Sequence, residues 1–286
     1  MLTCGLGLTT VLGSKTSFVH EDFRSVAKVS KPRLLDLFCK AGGGAMGYSR
    51  AGLAPYGIDI EPQKNYPFPF LQMDALEAMR LLLRGEGLTF SNGETLYLHD
   101  FSAIHASPPC QGYSIMRNLP WLRDKEYPLL IEATRERLIA SGVPWVIENV
   151  MGAQRKANMQ AGFLCGQMFG IPVLRHRLFQ TSFFWLQPAH MRHWGTVRNG
   201  RKLGSRARDM VTVIPIGAGA TPGQRGIHGS HGGNGAQVIG ANVGHAAGFA
   251  AAKLAMGIDW MKRDELTQAI PPVMTEYIGR WLLEAL

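Results

Sequence analysis

The stretch ASPPCQGYS, residues 106–114, sets one cysteine behind two prolines and ahead of a glutamine–glycine pair, directly after the apolar run FSAIH. A structural cysteine needs no such stiffened backbone. A nucleophilic one gains from it, because the chain then fixes the angle of attack. Cys110 is therefore a candidate thiolate nucleophile, served by a nearby helix N-terminus or cationic neighbour. The apolar run VPWVIENV, 143–150, ends in Glu148, a candidate acid near the thiol in space though far in sequence. A third feature is the glycine cluster KAGGGAMG after PRLLDLF, followed seventeen residues beyond Gly42 by Asp59 at the end of APYGIDIEP. Such a turn lets a ligand approach the backbone, and the acid can bind ribose hydroxyls. The glycines form neither a G-x-G-x-x-G fingerprint nor a phosphate loop with G-K-[ST]. Read alone, the turn fits NAD, another adenosine-bearing cofactor, or a tight turn with no ligand.

These groups need elements to hold them. Strands are expected at 32–38, 54–62, 101–107 and 143–150, each a short apolar run. Helices are expected after the glycine cluster, at 74–85, and at 124–142. Alternating strands and helices predict a doubly wound α/β sheet, with Asp59, the PPC of 108–110 and Glu148 along its carboxyl edge. RHRLFQTSFFWL, 175–186, reads as an extended hairpin arm. Residues 192–208 carry six Lys or Arg and no acid, and 213–250 is rich in glycine and histidine. GFAAAKLAMG and PPVMTEYIGRWLLEAL read as closing helices that return to the first domain.

The chain of 286 residues with 46% hydrophobic content supports one sizeable core. No apolar run is long enough to span a membrane. The formal net charge of +9 favours a polyanionic partner. Cys4, Cys39, Cys110 and Cys165 are scattered with no C-x-x-C pair, so neither a disulfide framework nor a zinc site is expected. His228, His231 and His245 are read as loop or nucleic-acid contacts rather than metal ligands.

In order along the chain, DLFCKAGGGAMGYSRAGL, GIDIEP, QMDAL, PPCQGYS, ENV, RHRLF and AIPPVMTEYIGRWL resemble the successive motifs of the DNA (cytosine-5)-methyltransferases, over residues 33–286. The resemblance implies a Rossmann-like methyltransferase sheet and S-adenosylmethionine as methyl donor, with no metal. It implies double-stranded DNA as partner and a compact bacterial or phage enzyme, monomeric and cytoplasmic. Cys110 would add to carbon 6 of cytosine, Glu148 would serve ring nitrogen 3, Arg177 would hold the carbonyl oxygen, and Arg175 would support the site. Phe38, Gly42, Gly43, Asp59, Asp74, Pro108 and Ile270 would hold the cofactor, Asp59 at the ribose and Asp74 at the adenine amino group. The expected divisions are a flexible leader at 1–31, a catalytic domain at 32–185, a target-recognition insert at 186–250 and returning helices at 251–286. The target base would be flipped from the duplex, and 112–128 would be the loop closing over it, with Ser114 and Arg117 on phosphates. The basic stretch 192–208 fits phosphate binding as well.

This chain departs from the family pattern at four places, one being RHR in place of a more common Gln-Arg start, with both arginines kept. Lys40 stands where glycine is usual, Asp59 where Glu is usual, and Gln268 where asparagine is usual. Other readings stay open: an RNA cytosine methyltransferase, a catalytically weak DNA-binding protein on the same fold, and a dinucleotide-dependent oxidoreductase. The last leaves PPCQ and ENV without a role.

Overall fold

The first strand, β1 (Arg33–Leu37), is buried at every position after the first, by three leucines and the acid Asp36. A strand covered on both faces reads this way. The structure, a computed structural model, describes residues 31–114, 125–171, 173, 175–190, 211–212, 239–240 and 249–286. The expected leader, the centre of the closing loop with Arg117, the basic stretch 192–208 and the three loop histidines lie outside those residues.

From β1 the chain enters α1 (Gly43–Ala51), then β2 (Ala54–Asp59), β3 (Phe70–Gln72) and α2 (Ala75–Leu83). A small antiparallel pair follows, β4 (Leu88–Thr89) and β5 (Thr95–Leu96), and then β6 (Ala103–Ala106). Next come α3 (Ile131–Ser141), β7 (Trp145–Asn149), α4 (Ala153–Lys156), β8 (Gly162–Cys165) and β9 (His176–Thr181). Two short strands, β10 (Val211–Thr212) and β11 (Ile239–Gly240), pair in parallel. The chain then runs through α5 (Phe249–Met256), α6 (Arg263–Gln268) and α7 (Pro272–Glu284).

Seven strands form one sheet in the order β3-β2-β1-β6-β7-β9-β8. The first five are parallel, and β9 runs antiparallel to both of its neighbours. This is the α/β architecture expected from the alternation of elements. The order reverses between β1 and β6, so the carboxyl ends of those strands open a crevice for ligands. One apolar layer packs Leu35, Leu37, Ile58 and Ile104 against Met79 and Leu82 of α2 and Leu138 of α3. The other packs Leu34, Val146 and Phe179 against Tyr48 of α1 and Met274, Ile278 and Leu282 of α7. The last helix thus returns to the first, and Thr275 Oγ1 donates to the Gly44 carbonyl at 2.8 Å.

Two expectations shift. The helix expected from 124 begins at Ile131, because Pro128 biases its predecessor away from helical backbone. RHRLFQTSFFWL, expected as an extended hairpin arm, does pair antiparallel with the preceding strand β8, but it also pairs with β7. Its first half is β9, inserted between β7 and β8. Among the described residues no helix is long and apolar enough to cross a membrane.

Candidate active site

The carboxyl ends of β1, β2, β6 and β7 surround a cavity of about 320 Å³. Cys110, Glu148, Arg175 and Arg177 line it together with Phe38, Gly43, Asp59, Pro108 and Ile270. Eleven residues were singled out on catalytic or cofactor grounds, and only Gly42 and Asp74 are absent from the wall.

The cysteine loop is held from several sides. Asn149, beside Glu148, donates from Nδ2 to the Pro108 carbonyl at 2.8 Å, tying the end of β7 to the turn after β6. The Cys110 carbonyl accepts the amides of Tyr113 (3.1 Å) and Ser114 (3.0 Å), so the chain turns back at once. The buried Tyr113 hydroxyl accepts the Ile131 amide at 3.1 Å, which anchors the loop to the start of α3. Lys156 Nζ adds a bond to the Gly112 carbonyl at 3.2 Å. Ser114, expected on phosphate, lies on the cavity wall.

Glu148 is 6% exposed and its carboxylate Oε1 lies 2.9 Å from Arg177 Nε. Arg177 also donates from Nη1 to its neighbour's carbonyl, that of His176, at 2.8 Å. Arg175 is buried, with Nη1 on the Thr267 carbonyl at 2.9 Å. Burial raises the Glu148 pKa, and Arg177, Ser107 and Arg175 pull it back. Burial also pushes the Cys110 thiol up, against the pull of Arg177 and Arg175. Arg175 is driven well below its usual range by burial and by the charge of Arg177. Burial therefore favours the thiol form of Cys110, and the nearby guanidiniums favour the thiolate.

A polar chain missed by sequence reasoning reaches Glu148 from behind. Tyr48 Oη lies 2.9 Å from His105 Nδ1, and His105 Nε2 lies 2.8 Å from Ser107 Oγ. Burial holds His105 neutral, with its pKa pushed down to about 3. Ser107 hydrogen-bonds the Glu148 carboxylate as a donor. The directions are then fixed along the chain: Ser107 must accept from His105 Nε2–H, and His105 Nδ1 must accept from Tyr48. The only sequence signal was a histidine inside an apolar strand.

The glycine turn makes the opposite wall. Gly42 caps α1 with φ of 81°, a backbone that favours glycine, and packs against Tyr66 and Pro67 outside the cavity. A Cβ on Gly43 would meet the Ile270 carbonyl at 2.7 Å, so the segment before α7 sits directly on the turn. Phe38 and Lys40 also have positive φ, 58° and 44°. The Lys40 amide donates to Asp59 Oδ2 at 3.0 Å, and the Glu61 amide to Oδ1 at 3.0 Å. Lys40 Nζ bridges Glu61 at 2.9 Å and Asp59 at 3.7 Å. The exposed Ile60 forms an apolar shelf beside them. Asp36 gives the floor a buried carboxyl whose pKa burial raises to about 8, with Tyr66 Oη donating to it at 3.3 Å. Asp74 instead caps α2, accepting the Glu77 amide on Oδ1 at 2.9 Å.

No family model matches the sequence, and no curated protein matches it. Among solved structures, a prophage-encoded E. coli protein described as a DNA modification methyltransferase matches 88% of this chain and 99% of its own. It does so at a TM-score of 0.50 and 15% identity. The Dnmt2 methyltransferase of S. pombe matches 89% and 99% at 0.48 and 16% identity. The methyltransferase EhMeth of Entamoeba histolytica matches 90% and 99% at 0.48 and 11% identity. The likeness to the first is one of fold, a Rossmann-like α/β sheet.

Proposed function

We propose that this chain transfers a methyl group from S-adenosylmethionine to carbon 5 of cytosine in double-stranded DNA. The observation that carries the proposal is the sharing of one cavity by a loop-held thiol, a buried Glu148–Arg177 pair and a glycine turn with an acid.

The cavity suits the donor. Its volume of about 320 Å³ falls within the usual range for small-molecule sites, roughly 300–1,000 Å³. Asp59 offers a carboxylate to ribose, Ile60 and Phe38 offer apolar surface, and Asp36 offers an acid to the ammonium of the methionine end. Bound there, S-adenosylmethionine supplies an electrophilic methyl on a sulfonium.

The protein's part is to make carbon 5 nucleophilic. Cys110 gives up its proton and bonds to carbon 6 of the flipped base. The carbon 5–carbon 6 electrons move toward carbon 5. Glu148 hydrogen-bonds or protonates ring nitrogen 3 and so relieves the charge that builds on the ring. Arg177 holds the carbonyl oxygen while Arg175, fixed on Thr267, keeps a second cation near the thiol. Carbon 5 would take the methyl as its bond to sulfur breaks and the donor leaves as a neutral thioether; the carbon 5 proton then passes to a base, the double bond returns and the Cys110 thiolate departs. The excess of Lys and Arg over the chain favours a polyanion.

The test is transfer of labelled methyl to unmethylated duplex DNA, followed by bisulfite sequencing. Methylation at a short recurring sequence, lost in Cys110→Ser, is expected. Transfer to RNA alone would replace the substrate with RNA. Tight DNA binding without transfer to either would leave a binding protein on this fold.

A further inference from the structure

Outside the cavity, on the far side of β9, Cys165, His176 and His190 bring one sulfur and two imidazoles within 4.8 Å of one another. We propose that these three side chains bind a single zinc ion, which clips β8 to β9 and holds the arginine strand in register. The inference does not depend on the reaction proposed above.

The sheet itself builds the first two ligands. Cys165 ends β8 and His176 begins β9, and they are register partners in an antiparallel pair. Their side chains therefore stand side by side on one face. His190 arrives from the chain beyond β9. Gln187 Oε1 accepts the Phe163 amide at 2.9 Å, which lays that returning segment along the edge strand β8. Phe163, two residues before Cys165 and so on the same face, packs on both imidazoles, at 5.7 Å and 5.2 Å between ring centroids.

The spacing of the two imidazole nitrogens fits a tetrahedral ion, with the sulfur drawing in from within 4.8 Å on binding. His176 Nε2 and His190 Nε2 are 3.3 Å apart. Two imidazole nitrogens each about 2.0–2.1 Å from zinc at a tetrahedral angle are about 3.4 Å apart. A single N–H···N hydrogen bond would account for the two rings, but not for a cysteine sulfur within 4.8 Å of both nitrogens. Backbone hydrogen bonds from Gln167, Arg175 and Gly166 reach the Cys165 sulfur, as a zinc-bound thiolate requires of its surroundings. One thiolate and two neutral imidazoles suit zinc better than calcium or magnesium, which take oxygen ligands. Binding would release the sulfur's proton to solvent and leave the fourth position to water.

The site's location gives it a purpose. His176 lies between Arg175 and Arg177, and side chains alternate along a strand. An ion on the His176 side therefore grips the strand from behind while Arg177 faces Glu148. Sequence spacing gave no hint of it, because the ligands are eleven and fourteen residues apart and only the register brings them together.

The test uses the full chain without a histidine tag, stripped by chelator and titrated with Zn²⁺ against a chromogenic competitor. One equivalent is expected, with a rise in Tm on loading. Co²⁺ in its place should give a thiolate-to-metal charge-transfer band. Cys165→Ala should lose that band, and His176→Ala and His190→Ala should lose stoichiometric binding, while Cys110→Ala keeps both. If Cys165→Ala fails to fold, the partly exposed His190→Ala carries the test, its circular dichroism checked against the parent. An absence of bound zinc in the parent, or equal binding in every ligand variant, overturns the proposal.

Discussion

Arg177 Nε sits 2.9 Å from Glu148 Oε1, and the two side chains keep only 11% and 7% of their surface in water. Neither charge can lose the other cheaply in such surroundings. Removing one partner of a buried pair costs about 3–5 kcal/mol, because the survivor is stranded. Arg177→Ala is expected to lose stability of that order in urea denaturation, along with methyl transfer. Glu148→Gln keeps the shape and some hydrogen bonding but cannot protonate the ring. Its transfer rate should fall by roughly 10²–10⁴-fold with donor binding nearly intact. A parent-like rate in single-turnover assays would remove Glu148 from the mechanism.

The Cys110 thiol is raised by burial and lowered by Arg177, so it is protonated at neutral pH in the resting protein. Alkylation of the Cys110 peptide, followed by mass spectrometry, should accelerate steadily as pH rises through the neutral range. Arg177→Ala should slow it at each pH, since the cation that favours the thiolate is gone. Fast, pH-independent labelling near neutrality would mean a thiolate already present.

Asp36 holds its proton up to about pH 8, whereas an unfolded aspartate releases it near about 3.9. Between those values the folded chain binds the extra proton, so stability falls as pH rises and is fully relieved only at the acid end. His105 works the other way. It resists protonation down to about 3, so below its ordinary pKa of about 6.5 acid costs stability. The interval from about 6.5 to about 8 is therefore where the contribution of Asp36 outlasts that of His105. Asp36→Asn should flatten the decline in Tm across it. An unchanged slope in that variant would assign the dependence to another group.

Lys40 occupies left-handed backbone, with φ of 44°. A non-glycine residue held there costs on the order of 1–3 kcal/mol. Its ion pair with Glu61 is largely exposed and offsets little of this. Lys40→Gly should be at least as stable as the parent in urea titrations. Lys40→Val, β-branched and ill suited to positive φ, should be clearly less stable. A Lys40→Gly chain less stable than the parent would mean that the Nζ bridge outweighs the backbone strain.

Lys40 also marks the border of what sequence could reveal. The apolar runs and their glycine stops announced β1, β2, β6 and β7, and carboxyl-edge geometry then gathered Cys110, Glu148 and Asp59. That Lys40 would itself adopt positive φ was not legible, since a lysine, unlike a glycine, carries no signal of it. The insertion of β9 between β7 and β8 was equally hidden, because strand order depends on pairing between distant segments. Asp74 shows a motif doing a local job: an acid before a helical run is first a cap. The Tyr48–His105–Ser107 chain needed α1 and β6 to be side by side, which neither segment states.

Ile270 rests on Gly43, while the loop cysteine and the arginines come from segments between them. This wall of the cavity is thus assembled from two stretches of chain more than two hundred residues apart in sequence. Cutting the backbone once between β11 and α5 should give two polypeptides whose reunion alone rebuilds the donor pocket. Co-expressed as separate fragments, they would behave as a split protein, and S-adenosylmethionine would strengthen their association by binding only the reassembled pair.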